Sequence, residues 1–289
     1  MTAPTVTSGL GQAAIEDAAP QGDDLTCWSV TSILKTIGSS DGLIGWTANT
    51  VSAYAIDYRP VWEATLEHEG REAAIAKIAA GRFVRPKGQQ RSAAELGSDI
   101  HAAIEAWVLD GTRPDTDDEI SPFLDQVGDW LDRFQPEWHA SEVAVYSPTF
   151  GYAGTADGFL TIDGVRCIID FKTSRDSVDS RGKIKKPWSD VALQLAAYRH
   201  AEMAAVWRPR RHEKWRRRYY LLSPEEQAAA VPVPEVDAGL AIHVTPEHCI
   251  AYPVRCDEPV HEAFLYAVEA ARWTYETSKN VIGTPLEKP

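Results

Sequence analysis

Residues 154–172 read GTADGFLTIDGVRCIIDFK and decide how this chain folds. The stretch holds two strand-like runs, 155–162 and 165–172, which are joined by Asp163-Gly164. An Asp-Gly pair between such runs is a strong hairpin signal, because the favoured two-residue turn needs a positive φ at both central positions. The sequence therefore predicts a tight antiparallel hairpin.

A two-residue turn also fixes which residues of the hairpin oppose each other. Ile162 then faces Val165, and counting outward sets Asp157 directly opposite Asp170. One face is expected to be apolar and to pack into a core, and it comprises Ala156, Gly158, Leu160, Cys167, Ile169 and Phe171. The opposite face is expected to comprise Asp157, Phe159, Thr161, Arg166, Ile168, Asp170 and Lys172.

Two carboxylates beside an ammonium group are unusual at opposed strand positions. Opposed residues have Cβ atoms roughly 4.5–5.5 Å apart, and like charges at that distance destabilise a sheet. The pairing makes chemical sense if a divalent cation lies between the carboxylates. A solvent-facing hairpin edge with incidental charges is the alternative, but Asp170 interrupts the apolar run CIIDF at 167–171. We therefore expect a metal site here.

Asp157 followed by Asp170-Phe171-Lys172 resembles the signature of PD-(D/E)XK nucleases, in particular the RecB-like branch with phage exonucleases and CRISPR-adaptation nucleases. Three further features fit that branch. Residues 96–107 (LGSDIHAAIEAW) resemble its helix with a metal-binding histidine, and residues 194–198 (QLAAY) resemble its Gln-x-x-x-Tyr motif. Glu142 lies where the family often has an acid ahead of the hairpin. The resemblance covers about residues 95–200.

The resemblance implies an α/β fold with a central mixed β-sheet flanked by helices, a restriction-endonuclease-like core with an N-terminal helical extension. It also implies that His101, Asp157, Asp170 and the backbone carbonyl of Phe171 bind Mg²⁺ or Mn²⁺. Lys172 would orient the attacking hydroxide or stabilise the charged transition state. Lys172, Asp157 and Asp170 are thus the predicted catalytic residues.

Glu142, Gln194 and Tyr198 are further candidate site residues. Glu142 is either a ligand for a second metal, an acid behind the ligands, or a plain surface acid at a strand end. Gln194 and Tyr198 share one face of a predicted helix over 188–205, where both can bond to phosphate and the tyrosine can stack on a base. A partly buried helix with a polar end is the alternative interpretation.

The net charge of −13 does not favour approach to a polyanion, so any nucleic-acid contact must rest on local positive patches. The stretch 206–218 is rich in Arg and Lys with interleaved Trp, a composition suited to single-stranded or frayed DNA. A solvated basic loop is the alternative. The candidate substrate-binding residues there are Arg208, Arg210, Arg211, Lys214, Trp215 and Arg216. The polar segment 174–187 is expected to be a mobile loop near the site mouth.

Four cysteines, at positions 27, 167, 249 and 256, lack the close paired spacing of a zinc site. Some RecB-like nucleases hold an iron–sulfur cluster with one cysteine ahead of the core and three after it. Here only Cys249 and Cys256 follow, because Cys167 belongs to the hairpin, so a cluster is not expected. Buried or inert thiols in a reducing compartment are expected instead.

The expected organisation is one nuclease domain over 23–276, with a helical N-terminal part (23–94) and a core (95–276). A disordered tail (1–22) precedes it and a frayed tail (277–289) follows it. No run approaches 18 consecutive apolar residues, and the N-terminus lacks a secretory pattern. The expected location is the cytoplasm, which would be the host cytoplasm for a phage protein.

The leading hypothesis is a metal-dependent DNA exonuclease of recombination or repair, with a phage origin suggested by the resemblance and the compact size. Linear ends or single strands of DNA are the expected substrate, a recombination protein is a candidate partner, and no membrane contact is expected. One alternative is a catalytically silent nuclease fold that binds DNA ends or a protein. Another is a structure-specific endonuclease or an RNA-directed enzyme. The oligomeric state stays open, although toroidal assemblies occur in this superfamily.

Overall fold

The computed structural model of the chain is α/β, with a mixed central sheet flanked by helices, and the predicted fold class is confirmed. The structure describes residues 7–8, 23–38, 41–81, 91–179, 181–205, 210–211 and 219–285. The chain divides into two compact units, one of Met1–Ile37 with Gly97–Pro289 and one of Gly38–Leu96. No helix in these described stretches is long and apolar enough to cross a bilayer.

The strands of the described chain, in sequence order, are β1 (Thr7–Ser8), β2 (Leu25–Ser29), β3 (Glu137–Ser147), β4 (Tyr152–Ile162), β5 (Val165–Thr173), β6 (Met203–Ala204), β7 (Arg210–Arg211), β8 (Tyr219–Leu222), β9 (Val231–Pro232), β10 (Ala238–Val244) and β11 (Cys249–Val254). The helices are α1 (Val30–Ile37), α2 (Asp41–Asp57), α3 (Arg59–Glu69), α4 (Arg71–Ala80), α5 (Ala93–Asp110), α6 (Ser121–Phe134), α7 (Asp190–Arg199), α8 (Pro224–Ala229) and α9 (Glu258–Tyr275), followed by a short 3₁₀ helix at Thr277–Asn280.

The sheet runs in the order β11-β10-β5-β4-β2-β8-β7, and β3 pairs with β4 along most of its length. Strand β10 is parallel to β5 and β2 is parallel to β4, whereas β4 is antiparallel to both β3 and β5. A strand has only two edges for pairing. Because β3 occupies one edge of β4, strands β5 and β2 must share the other edge.

The hairpin forms as the sequence predicts. Asp163 and Gly164 have φ values of 50° and 80°, and Ile162 pairs with Val165. Moving away from the turn, the described pairing keeps the predicted register and ends at the Gly158–Ile169 pair. Beyond that point β4 pairs with β2 instead, at Tyr152 and Ala153. The sheet therefore forks between β5 and β2, and the expected Asp157–Asp170 ladder pair is not formed.

The side chains of β4 change face at this fork. Ala156 packs in the same core cluster as Phe159 and Ile168, although residues three apart point to opposite faces of a regular strand. The predicted grouping of Ala156 with Leu160 and Phe171 is therefore wrong. The prediction assumed regular alternation through Asp157, and the fork breaks it.

Strand β3 shows the matching distortion opposite Asp157. Ala140 and Val143, also three residues apart, both pack against that same core cluster. Glu142 lies between them with a φ of 52°, in the left-handed region that costs a non-glycine residue about 1 kcal/mol or more. The two strands thus turn together at the Glu142 and Asp157 positions.

Helices cover both faces of the sheet. Helix α7 contacts β4, β5 and β10, and it packs with α1 and α9 around the apolar cluster of Tyr152, Leu195 and Phe264. On the other face, Phe171 of β5 meets the His101 ring of α5 edge-on and stacks near Trp138. The candidate site residues thus lie between α5 and α7, at the fork.

Several predicted boundaries differ in the structure. The predicted helical part 23–94 begins with strand β2, which lies inside the sheet, and the smaller unit holds helices α2 to α4. The predicted helix 188–205 is the shorter α7, because Met203 and Ala204 instead pair with β3 as strand β6. Of the predicted tail 1–22, Thr7–Ser8 pairs with β3, and the rest lies outside the described residues.

A buried histidine stabilises the packing of α7 and α9. His261 is 7% exposed, and its Nε2 lies 3.0 Å from the hydroxyl of Tyr152. That hydroxyl donates its single proton to the Ala197 carbonyl, so His261 must be the donor in their contact. Burial lowers the pKa of His261 to about 4, and the stacked His200 ring adds to the effect.

The lowered pKa of His261 predicts that the folded protein loses stability in acid. The unfolded chain takes up the His261 proton near pH 6.5, whereas the folded protein resists it down to about pH 4. Stability that is present above pH 6.5 is therefore lost as the pH falls toward 4, by about 1–3 kcal/mol. In His261→Gln, urea unfolding between pH 7 and 4 should show a correspondingly smaller loss. The exposed His139→Gln is the control, and an undiminished loss in His261→Gln would contradict the prediction.

Candidate metal centre

Helix α5 brings His101 to the sheet. Ile100 and Ile104 of α5 are buried, as the predicted apolar stripe requires, and His101 follows directly beside that stripe. Gly97 allows close approach, because a Cβ there would lie 3.0 Å from the Thr173 hydroxyl at the end of β5. The His101 Nδ1 consequently lies 3.6 Å from Asp157 Oδ2.

Asp157 occupies the fork in the sheet. Its Oδ2 accepts a hydrogen bond from the Phe171 amide at 2.5 Å, and so replaces the strand carbonyl that would otherwise pair there. The Ser141 hydroxyl donates to the Asp157 carbonyl at 3.3 Å and fixes the same residue from the other side. The Asp157 side chain is 12% exposed, so its carboxylate is held in place while one side stays open to solvent.

Glu142 completes a group of three possible metal ligands. One ligand atom from each of His101, Glu142 and Asp157 lies within 4.8 Å of the other two, and all three residues are half-buried. The strand distortion at Glu142 is what turns this acid toward Asp157. Among the roles left open by the sequence, this position favours a ligand or an acid close to the ligands over a plain surface acid.

Asp170 and Lys172 form a second group on the α7 side. Asp170 is 1% exposed, and its Oδ2 lies 2.5 Å from Lys172 Nζ. Gln194 bonds to both, because its amide nitrogen donates to Asp170 Oδ1 at 2.7 Å and its oxygen accepts from Lys172 at 3.0 Å. The amide also donates to the Tyr198 hydroxyl at 3.2 Å, which leaves Gln194 a single orientation.

The charges of the Asp170–Lys172 group interact with that of Asp157 in the ligand group. Burial raises the pKa of Asp170 to about 6, although the Lys172 ammonium opposes the rise and the Asp157 carboxylate adds to it. Burial alone would lower the pKa of Lys172, but the carboxylates of Asp170 and Asp157 outweigh it and raise that pKa. Lys172 therefore stays a cation among carboxylates.

These donors fit a hard divalent cation. Carboxylate oxygens and one imidazole nitrogen are suitable ligands for Mn²⁺, and the oxygens suit Mg²⁺. Among the described residues, the buried Asp170 Oδ2 has only the Lys172 ammonium, at 2.5 Å, as a polar partner, so it keeps room for a further contact. Of the predicted ligands, the structure groups His101 and Asp157 with Glu142, whereas Asp170 is held by Lys172 and Gln194. Phe171 contributes its amide, and the role of its carbonyl stays a prediction.

The structure places Tyr198 differently from its predicted role on substrate. Its side chain is 2% exposed and packs over Gly154 of β4, where a Cβ would lie 2.3 Å from the tyrosine ring. A residue so buried cannot stack on a base, and it supports Gln194 instead. Sequence reasoning missed Gly154, although a glycine inside a strand is itself a signal of close approach.

Most of the basic stretch 206–218 lies outside the described residues. Arg208, Lys214, Trp215 and Arg216 lie outside the described residues. The backbones of Arg210 and Arg211 form β7, which pairs with β8 at the far end of the sheet from β11. Their predicted contacts with substrate stay predictions.

Comparisons with known proteins add little to this geometry. No protein-family model matches the chain, and no curated protein matches its sequence. Among solved structures, the chain is similar to SSO0001, with 16% sequence identity and a TM-score of 0.34 over 86% of this chain and 76% of that one. A TM-score this low supports no conclusion about fold or function.

The ligand group predicts a measurable cation site. Mn²⁺ should raise the melting temperature of the protein, because a ligand that binds only the folded state stabilises it. Mutating a residue that only hydrogen-bonds to a metal ligand typically lowers metal affinity about 10–100-fold. Glu142→Gln and Asp157→Asn, which change the ligands themselves, should therefore weaken Mn²⁺ binding by at least roughly tenfold. Glu137→Gln, an exposed acid on the same strand, is the matched control. Equal calorimetric affinities in all four proteins would rule the site out.

The contact between Gly154 and Tyr198 predicts a steric effect on stability. Gly154→Ala places a methyl group 2.3 Å from the Tyr198 ring and should destabilise the protein by about 1–3 kcal/mol. Gly283→Ala, where nothing lies within 4 Å of the new Cβ, should be nearly neutral. Urea unfolding measures both, and a neutral Gly154→Ala would contradict the described packing.

Proposed function

We propose that this protein is a Mg²⁺- or Mn²⁺-dependent deoxyribonuclease, specifically an exonuclease of the RecB-like PD-(D/E)XK type that acts in recombination or repair. The observation that supports this most directly is the group of His101, Glu142 and Asp157, whose ligand atoms lie within 4.8 Å of one another. The Asp170–Lys172 pair lies beside it, because the amide of Phe171, the residue between them, donates a hydrogen bond to the Asp157 carboxylate.

The roles of the residues follow from their chemistry. His101, Glu142 and Asp157 would hold the cation, which when bound neutralises phosphate charge and makes a nucleophile available at neutral pH. Lys172 is 35% exposed along its side chain, so its ammonium can reach a phosphate oxygen or the attacking water. Asp170 and Gln194 orient that ammonium, and a group held in advance needs no reorganisation during the reaction.

The buried ion pair argues against a protein that only binds DNA ends. Removing the Asp170 carboxylate from water costs several kcal/mol, half-burying Lys172 adds to that cost, and apolar residues of similar volume are often as stable or more so. Buried charges with perturbed pKa values beside a possible metal site are typical of catalytic centres. The phage origin and a location in the host cytoplasm are parts of the same proposal, and they rest on the resemblance of the sequence.

End-labelled linear DNA and covalently closed circular DNA test the activity. With Mg²⁺ or Mn²⁺, the protein should degrade the linear DNA only, and EDTA should stop it. Lys172→Ala should slow the reaction about 10²–10³-fold, because it removes a preorganised charge. Lys172→Met, which keeps the aliphatic chain, should be equally slow, and the exposed Lys35→Ala should behave as wild type.

The outcomes separate the candidate functions. Cleavage of circles would favour the endonuclease, and binding without cleavage under all conditions would favour the silent DNA-end binder. Cleavage that persists in EDTA, or in Lys172→Ala at the wild-type rate, would overturn the proposed chemistry. RNA of the same sequence, assayed in parallel, distinguishes an RNA-directed enzyme.

A further inference from the structure

The segment between β5 and α7, which the sequence predicts to be a mobile loop, adopts a hairpin conformation. Val178 and Ile184 form a β-bridge, and we refer to residues 176–179 and 181–188 as the β5–α7 hairpin. The Asp179 carboxylate accepts hydrogen bonds from the amides of Arg181 at 2.8 Å and Lys183 at 3.0 Å, and so closes the turn. These bonds define the backbone of the turn from which Arg181 and Lys183 project.

The base of the hairpin is attached to the sheet. The Ser177 hydroxyl donates to Oγ1 of Thr245, a fully buried residue at the end of β10. The Lys186 ammonium lies 5.9 Å from the centre of the Tyr252 ring on β11. These contacts hold the hairpin over the carboxyl end of β10, beside the end of β5.

The hairpin carries exposed cations near its turn and an exposed aromatic ring where it meets α7. Arg181 and Lys183 are exposed, and neither forms an ion pair with a carboxylate in the described part of the chain. The acids of the hairpin are engaged elsewhere, since Asp176 pairs with Lys185 and Asp179 closes the turn. Trp188 is 61% exposed, although burying an indole ring would be strongly favourable.

The position of this surface relates it to the candidate metal centre. The hairpin leaves β5 shortly after Lys172 and leads directly into α7, which carries Gln194. Trp188 precedes that helix, and its carbonyl accepts from the Val191 amide in the first turn. Lys172 donates a hydrogen bond to Gln194 at 3.0 Å, so α7 connects the Trp188 end of the hairpin to Lys172.

We propose that the β5–α7 hairpin is a docking site for single-stranded DNA, an inference that rests on the proposed nuclease function. Trp188 stacks on an unpaired base, and Arg181 and Lys183 neutralise the neighbouring phosphates. Stacking on an aromatic side chain requires a base whose face is free, which a single strand or a frayed end offers and an intact duplex does not. The substrate that reaches the metal centre is therefore a strand that is already unpaired.

Binding measured without cleavage tests this site. The full-length protein is titrated in EDTA against a short fluorescent oligothymidylate and against a blunt duplex of equal length. Trp188→Ala should weaken binding of the single strand roughly 5- to 100-fold, the range found for loss of one base–aromatic stack. Trp188→Phe should retain most of the affinity. Trp273→Ala, which removes another exposed tryptophan on α9, should have no effect.

Salt dependence tests the two cations. For single strands, the slope of log K against log salt falls by about 0.7 for each phosphate contact that is lost. The double variant Arg181→Ala/Lys183→Ala should therefore lower that slope by about 1.4. Because all of these side chains are exposed, the variants should unfold at the wild-type temperature.

The results separate this inference from the proposed function. If the wild type cleaves DNA but Trp188→Ala binds the single strand as tightly as wild type, the docking site is wrong and the nuclease stands. If the wild type never cleaves but binds single strands in a Trp188-dependent way, the nuclease is wrong and the docking site stands. Equal affinity for the duplex, or equal losses in Trp188→Ala and Trp273→Ala, would also overturn the inference.

Discussion

A single hydrogen bond, from the Phe171 amide to the Asp157 carboxylate, connects the fold of this protein to its candidate chemistry. Where β5 leaves β4 and β2 takes its place, a strand amide would lose its partner, and a buried unpaired amide is costly. The Asp157 side chain supplies the missing acceptor. The same residue that closes the gap in the sheet therefore points an acid into it, within reach of His101.

The neighbouring group, formed by β5 and α7, depends on contacts between its own polar side chains. Asp170, Lys172 and Gln194 bond to one another, so each contributes little to stability without the others. Loss of Lys172 or Gln194 leaves the buried Asp170 carboxylate with an unpaired oxygen in a low dielectric. Tyr198 and Gly154 lie behind them and set how closely α7 approaches β4. The position of Lys172 thus depends on a glycine that does not contact it.

Local features could be predicted from the sequence, whereas features that depend on the pairing of distant strands could not. The Asp163-Gly164 turn and the hairpin register could be predicted because a two-residue loop leaves one pairing, and the mixed sheet with flanking helices followed from the family resemblance. The fork could not be predicted, since it arises from the pairing of Trp28 with Tyr152, which no local pattern reveals. The burial of Tyr198 was missed for the same reason, because its i,i+4 relation to Gln194 says nothing about what lies opposite.

The pairing of β2 has a consequence for synthesis of the chain. This strand is synthesised well before its partners, which are Tyr152–Ala153 of β4 and Tyr219–Leu222 of β8. The gap that holds Asp157 is therefore bounded on both sides only after β4 and β5 have also been made. A nascent chain that stops before β5 would have His101 and Glu142 in place without the strands that bring their partners together, so the candidate centre forms late relative to its first residues.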